Sequence, residues 1–129
     1  MHQSKLCTLV IDCPPQEFQQ AVAFWSHALG RRPPEGADLG KRYVEMEVPV
    51  DRIQVLLQQS EDSPAVHLDI ETDDVDAEVA RLEAAGAERK RQVRTWWVMK
   101  APSGHDFCVV KPQSQDFPAG ANQWDGSGE

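Results

Sequence analysis

The sequence predicts an α+β chain built from two copies of a βαβββ unit. Three observations carry this. The order of candidate elements runs once from residue 6 to residue 58 and then starts again at residue 65. Matching residues keep a nearly constant offset: Thr8 and His67, like Asp12 and Glu71, stand 59 positions apart, and the helix-stopping glycines Gly30 and Gly86 stand 56 apart. The chain has 129 residues, 40% of them hydrophobic, which suffices for one domain but leaves each half too small to bury a core alone. The halves must therefore pair, within one chain or by exchange between two chains.

Each element follows from local chemistry. Residues 6–12 (LCTLVID) form a β-branched run that stops at Cys13, Pro14 and Pro15, because paired prolines cannot continue a ladder. From Phe18 onward, Phe18, Ala21, Val22, Trp25, Ala28 and Leu29 recur at helical spacing, and Gly30 stands where a left-handed C-cap belongs. Residues 31–40, with Pro33, Pro34, Gly36 and Gly40, make a short edge strand or a loop. Residues 42–48 alternate with period two, residues 53–58 form another β run, and a hairpin-like connection around Pro49 to Asp51 joins them.

The second copy begins with a strand over 65–71. Asp73 and Asp74 then open a helix at its electropositive end, with Val75, Val79 and Leu82 as its apolar stripe. Residues 88–93, 95–100 and 105–111 supply three further strands, with a turn at Pro102, Ser103 and Gly104 before the last. After Pro112 the composition turns to Gly, Ser, Gln and Asp, which predicts a loosely held tail over 112–129.

Charge and cysteine usage narrow the functions. Thirteen Lys and Arg against 21 Asp and Glu give a net charge of −8. Such a surface repels phosphate backbones and anionic lipid, so neither nucleic acid nor membrane is an expected partner. The basic cluster Arg89, Lys90, Arg91 and Arg94 is the local exception, read as a solvated strand edge or as a site drawing an anion. No apolar run is long enough to span a bilayer and the start lacks a signal-peptide layout, so the expected location is the cytoplasm. Cys7, Cys13 and Cys108 show neither metal-type spacing nor a disulfide framework, and buried thiols are the default for all three.

Five strings carry a family resemblance: V-I-D-C-P-P at 10–15, A-F-W-x-x-A-L-G at 23–30, V-H-L-D-I at 66–70, the acidic-start helix at 73–87, and W-V-M-K-A-P-S-G-H-D-F-C-V-V at 97–110. In this order and spacing they resemble the glyoxalase-like domain proteins of the vicinal oxygen chelate superfamily, which includes glyoxalases, bleomycin-resistance proteins and extradiol dioxygenases. The resemblance implies a single domain over 1–111, with modules at about 5–60 and about 64–111. It further implies a cupped, eight-stranded mixed sheet with one helix per module on its outer face, and a homodimer.

Metal-using members of that superfamily place His and Glu ligands on the first and last strands of each module. The resemblance puts Thr8, Gln54, His67 and Cys108 at those four positions, and only His67 is a usual ligand. The expectation is therefore no metal and no other cofactor, with a divalent ion held by His67, alone or with Cys108, as the lesser alternative.

A lone strand histidine is by default a half-buried structural residue. Even so, His67 is the side chain that changes charge near neutral pH, and it is the first candidate for chemistry. Asp12 and Asp69 are the carboxylates that strand alternation allows beside it, as partners of a general base or as caps of the following turns. Thr8, Gln54, Cys108, Tyr43 and the inward member of the Trp96 and Trp97 pair are candidate lining residues, with plain packing as the alternative for the aromatics. The leading expectation is a protein that binds an apolar or aromatic small molecule in the cup. Two alternatives stand beside it: a lyase, isomerase or dioxygenase-like enzyme using His67 with a carboxylate or an atypical metal, and a drug-sequestering protein like those of bleomycin resistance.

Overall fold

The computed structural model describes residues 1–48 and 53–125. The chain divides into two compact units: residues 8–67 form the first, and residues 1–7 together with the chain from 68 onward form the second. The elements are β1 (His2–Cys13), a single 3-10 turn (Pro15–Glu17), α1 (Phe18–Leu29), β2 (Tyr43–Glu45), β3 (Gln54–Gln59), β4 (Ala65–Thr72), α2 (Val75–Ala84), β5 (Glu88–Val93), β6 (Trp96–Lys100), β7 (Asp106–Val110) and β8 (Asn122–Trp124). The fold is α+β, with two helices among the described residues and an eight-stranded mixed sheet. No helix among the described residues is long and apolar enough to cross a membrane.

In the first unit, β1 runs parallel to β3 in a register that sets Thr8 opposite Gln54 and Cys13 opposite Gln59. β2 is antiparallel to β3, with Val44 opposite Leu57. Alternation along these strands turns Ile11, Cys13, Val55 and Leu57 onto one face, where Phe18 and Val22 of α1 bury them. Leu57 is fully buried; hiding a leucine side chain from water contributes about 1.5–3 kcal/mol. The expected C-cap is realised: Gly30 adopts φ 67°, a left-handed conformation that any side chain would strain.

Residues 31–40 form a loop held by local bonds, among them Ala37 N–H to Pro34 O at 3.0 Å and Gly40 N–H to the Asp38 Oδ1 carboxylate at 2.9 Å. Two consecutive prolines deny this segment a ladder donor. The strand expected over 42–48 is regular only at β2, although Met46 N–H still reaches Val55 O at 3.0 Å. The connection expected around Pro49 to Asp51 lies outside the described residues.

In the second unit β4 pairs parallel with β7, and β6 lies antiparallel between β7 and β5. α2 is capped as its sequence predicts: the Asp74 carboxylate accepts the Ala77 N–H at 3.0 Å. The helix ends at Gly86, whose φ of 113° suits glycine, and a Cβ there would lie 3.0 Å from the Pro102 ring. Val79, Met99 and Val109 are the buried heart of this unit, with Val75, Leu82, Trp97 and Phe107 around them.

The segment after Pro112, for which composition predicts little order, contributes the eighth strand. β8 pairs antiparallel with the beginning of β1, His2 opposite Trp124. Trp124 Nε1–H donates to Ser4 Oγ at 2.9 Å, the Arg81 guanidinium stacks 3.7 Å from the Trp124 ring centroid, and Lys5 Nζ donates to Ala119 O at 2.6 Å. These bonds also explain why β1 starts at His2, four residues before the apolar run begins.

Candidate functional site

The first unit gathers four of the residues singled out from sequence into two hydrogen-bonded pairs. Thr8 Oγ1 donates to Gln54 Oε1 at 3.2 Å, a direct consequence of the β1–β3 register that sets them opposite one another. Four residues along β1, on the same face by strand alternation, Asp12 Oδ2 lies 3.2 Å from His67 Nδ1. Where the Asp12 carboxylate is the acceptor of this bond, His67 Nδ1–H is its donor. Both side chains are mostly sheltered, at 14% exposure for Asp12 and 18% for His67. The second Asp12 oxygen, Oδ1, is buried with no hydrogen-bond partner among the described residues. A buried acceptor left unmet costs about 1–3 kcal/mol, which marks this carboxylate as a place where a donor belongs.

Asp12 also lines a groove of about 490 Å³ in the first unit. Its walls are apolar, formed by Ile11 and Cys13 of β1, Ala21, Phe24 and Trp25 of α1, and the segment Pro64 to Val66. Phe24 and Trp25 meet edge to face with centroids 5.1 Å apart, and Phe24 remains 60% exposed. Sequence reasoning assigned Trp25 to the core stripe and passed over Phe24. The available signal was a large aromatic at a helix position off that stripe, where a solvated helix carries polar residues. The neighbouring Cys13 thiol is raised above its ordinary value by burial first and by the Asp12 charge second, so it stays protonated and inert.

Tyr43, expected to line a pocket, stands on β2 with 47% exposure, and the Arg42 guanidinium lies 5.7 Å from its ring centroid.

The second unit holds the remaining candidates. Asp69 and Cys108 are register partners across β4 and β7, with a carboxylate oxygen and the sulfur within 4.8 Å. The Cys108 thiol is pushed up to about 12, by burial first and then by the charge of Asp69, with hydrogen bonding to Asp69 adding to it against an opposing Arg91. A thiol so placed is no nucleophile at neutral pH. Of the tryptophan pair, Trp97 packs against the Val79, Met99 and Val109 cluster with Arg89 5.0 Å from its ring centroid, and alternation along β6 sets Trp96 on the opposite face.

Tested against a divalent ion, the four positions at which the family resemblance implies ligands do not fit. Thr8 and Gln54 offer neutral oxygens that are hydrogen-bonded to each other, and Cys108 is a thiol where the resemblance implies His or Glu. A lone imidazole, His67, is left of the usual donor set.

Comparisons with known proteins agree on the scaffold. A family model described as "Glyoxalase-like domain" matches residues 8–110. No curated protein matches. Among solved structures, methylmalonyl-CoA epimerase from Mycobacterium tuberculosis superposes with a TM-score of 0.54 at 17% identity, covering 84% of this chain and 88% of that one. A glyoxalase/bleomycin resistance protein/dioxygenase superfamily member from Vibrio splendidus 12B01 gives 0.52 at 15% identity, covering 82% and 97%. Homoprotocatechuate 2,3-dioxygenase from Arthrobacter globiformis gives 0.56 at 15% identity, covering 85% of this chain but 36% of that one. At such identities the likeness is one of fold.

Proposed function

The chain belongs to the glyoxalase-like domain family of the vicinal oxygen chelate superfamily, and from that premise we propose that it binds an apolar or aromatic small molecule without relying on the usual metal quartet. The observation that carries this reading is Asp12. It stands at an apolar groove with one oxygen engaged by His67 and the other buried and unmet. In this reading the ligand's aromatic or aliphatic body covers Phe24 and Trp25, and a donor it carries reaches the Asp12 carboxylate at the groove's edge by displacing what now covers that oxygen. Binding sites of this size combine an apolar lining with a few placed polar groups.

A second reading has its own support in the same pair. A carboxylate that accepts a hydrogen bond from Nδ1–H orients the imidazole and raises the basicity of Nε2, the arrangement a general base needs to remove a proton next to a carbonyl. In this reading His67 moves the proton and Asp12 positions it, as in a lyase or isomerase.

The test is a titration of the purified protein with neutral aromatic amides and alcohols, followed through Trp25 fluorescence, with and without a chelator. The proposal expects saturable quenching that the chelator leaves unchanged and that Asp12→Asn weakens about tenfold, the loss of one hydrogen bond to a charged group. Binding that vanishes with the chelator and returns with added metal refutes it. Proton exchange at the α-carbon of a carbonyl compound, abolished in His67→Ala and slowed in Asp12→Asn, establishes the second reading over the first.

A further inference from the structure

α1 divides two grooves of opposite character within the first unit. On one flank, reached from positions 17, 20, 21, 24 and 25, the Asp and Glu residues Asp12 and Glu17 line the groove and no described Lys, Arg or His does. On the other flank, reached from positions 19, 22, 23, 26, 27 and 30, a groove of about 700 Å³ opens against the 31–40 loop, and its ionisable lining residues are the bases His27 and Arg32. In a chain of net charge −8, a concavity whose ionisable lining residues are both basic runs against the overall composition.

The walls of this second groove are fixed. Arg31 Nη1 donates to Ile53 O at 2.7 Å, and the Arg32 carbonyl accepts the Glu47 N–H at 2.7 Å, which anchors the start of the loop on both sides. Asp38 closes the turn at the far end through its bond to Gly40 N–H. Val22, Pro33, Pro34 and Leu39 supply apolar surface, and the prolines hold their backbone without cost on binding. The Ser26 hydroxyl is already committed to Val22 O at 2.6 Å. Arg32 forms no ion pair with any described residue, so its planar fork of donors is not committed to an anion among them.

We propose that this groove between α1 and the 31–40 loop is a second small-molecule site that takes a carboxylate carried on an apolar body. The carboxylate lies against Arg32, with His27 beside it in the last turn of α1, and the tail covers Val22, Pro33 and Leu39. A volume of about 700 Å³ accommodates a medium-chain acid. The site is independent of the Asp12 and His67 groove.

The experiment uses three probes with one tail and different heads, octanoate, octanol and octylammonium, each below its aggregation threshold and titrated calorimetrically into the full chain. The proposal expects octanoate to bind one per chain, at least tenfold tighter than either of the others. Arg32→Glu is expected to lose at least tenfold for octanoate, and Arg32→Gln to lose less. Arg32 is exposed, so both of its variants are expected to keep the wild-type melting temperature, and Arg32→Gln remains a test if the charge reversal does not. Equal affinity for octanoate and octanol, octanoate binding untouched by both Arg32 variants, or no saturable octanoate binding overturns the proposal.

Discussion

Glu78 is the residue whose removal is expected to cost this fold most for its size. It sits on α2 with no exposed surface, yet it is charged. Its carboxylate lies 2.8 Å from His2 Nε2 and accepts Arg81 Nε–H and Nη2–H at 2.7 and 2.8 Å. Burial pushes the carboxyl up, but hydrogen bonds from Arg81, His2 and Ser4 together with the Arg81 charge outweigh it, and the net displacement is downward. Substituting Glu78→Gln keeps the shape and one acceptor while removing the charge that matches Arg81. Each hydrogen bond to a charged group contributes about 1.5–3 kcal/mol net. Arg81 keeps 19% side-chain exposure and recovers part of the loss through water, so the expected destabilisation at pH 7 is about 2–4 kcal/mol, or a fall in melting temperature of roughly 10 °C.

The pH dependence distinguishes this charge from mere packing. A carboxyl lowered in the folded state contributes stability that is present above its unfolded value, about 4.3, and is lost as pH falls through the lower folded value. Urea unfolding of wild type and Glu78→Gln is therefore expected to show a gap at pH 7 that closes below about pH 4. A gap under about 0.5 kcal/mol at pH 7, or one of equal size at pH 3.5, refutes the argument.

Other outcomes follow from the same kind of reasoning. With its thiol at about 12 in the folded state, Cys108 is expected to react with iodoacetamide at pH 8 at least a hundredfold more slowly than in the urea-unfolded chain, as peptide mapping over time would show. Because that value is raised from 9.0, the stability it confers is present below pH 9 and declines as pH rises from 9 toward 12. Leu57→Ala removes a fully buried side chain from the heart of the first unit and is expected to cost about 2–5 kcal/mol by denaturant titration. Asp74→Ala deletes the bond to the Ala77 N–H and is expected to cost about 1 kcal/mol, with local amide exchange accelerating first at the start of α2.

Elements specified by neighbours in the chain were the legible ones. Phe18 and Gly30 bound α1 as periodicity and capping predict, and Asp74 opens α2 where an acidic start belongs. The pairing of Thr8 with Gln54 is a matter of strand register that the repeat does not fix, since in the second copy Cys108 stands opposite Asp69. What stayed hidden depends on contacts distant in sequence. β8 spans three residues whose partners lie about 120 positions earlier, and no local period marks it. Glu78 looks like a solvated residue paired with Arg81 on an amphipathic helix, since His2 and Ser4, which join Arg81 in making its burial tolerable, come from the far end of the chain. Asp12 lay between the two cases. Its alternation with Thr8 could be read directly, but the unmet oxygen is a property of the folded surroundings.

The anchoring of the segment after Pro112 bears on how this protein is cut for expression. The family match ends at residue 110, and a boundary drawn there looks natural. Glu71, fully buried on β4, takes its hydrogen bonds from Gln113 N–H at 2.7 Å and from the Ser114 backbone and hydroxyl. Trimming to the match discards those three donors and strips the Glu71 carboxyl of the partners the fold gives it. The homology-defined piece and the foldable piece are therefore different lengths of polypeptide, and the difference is set by one glutamate.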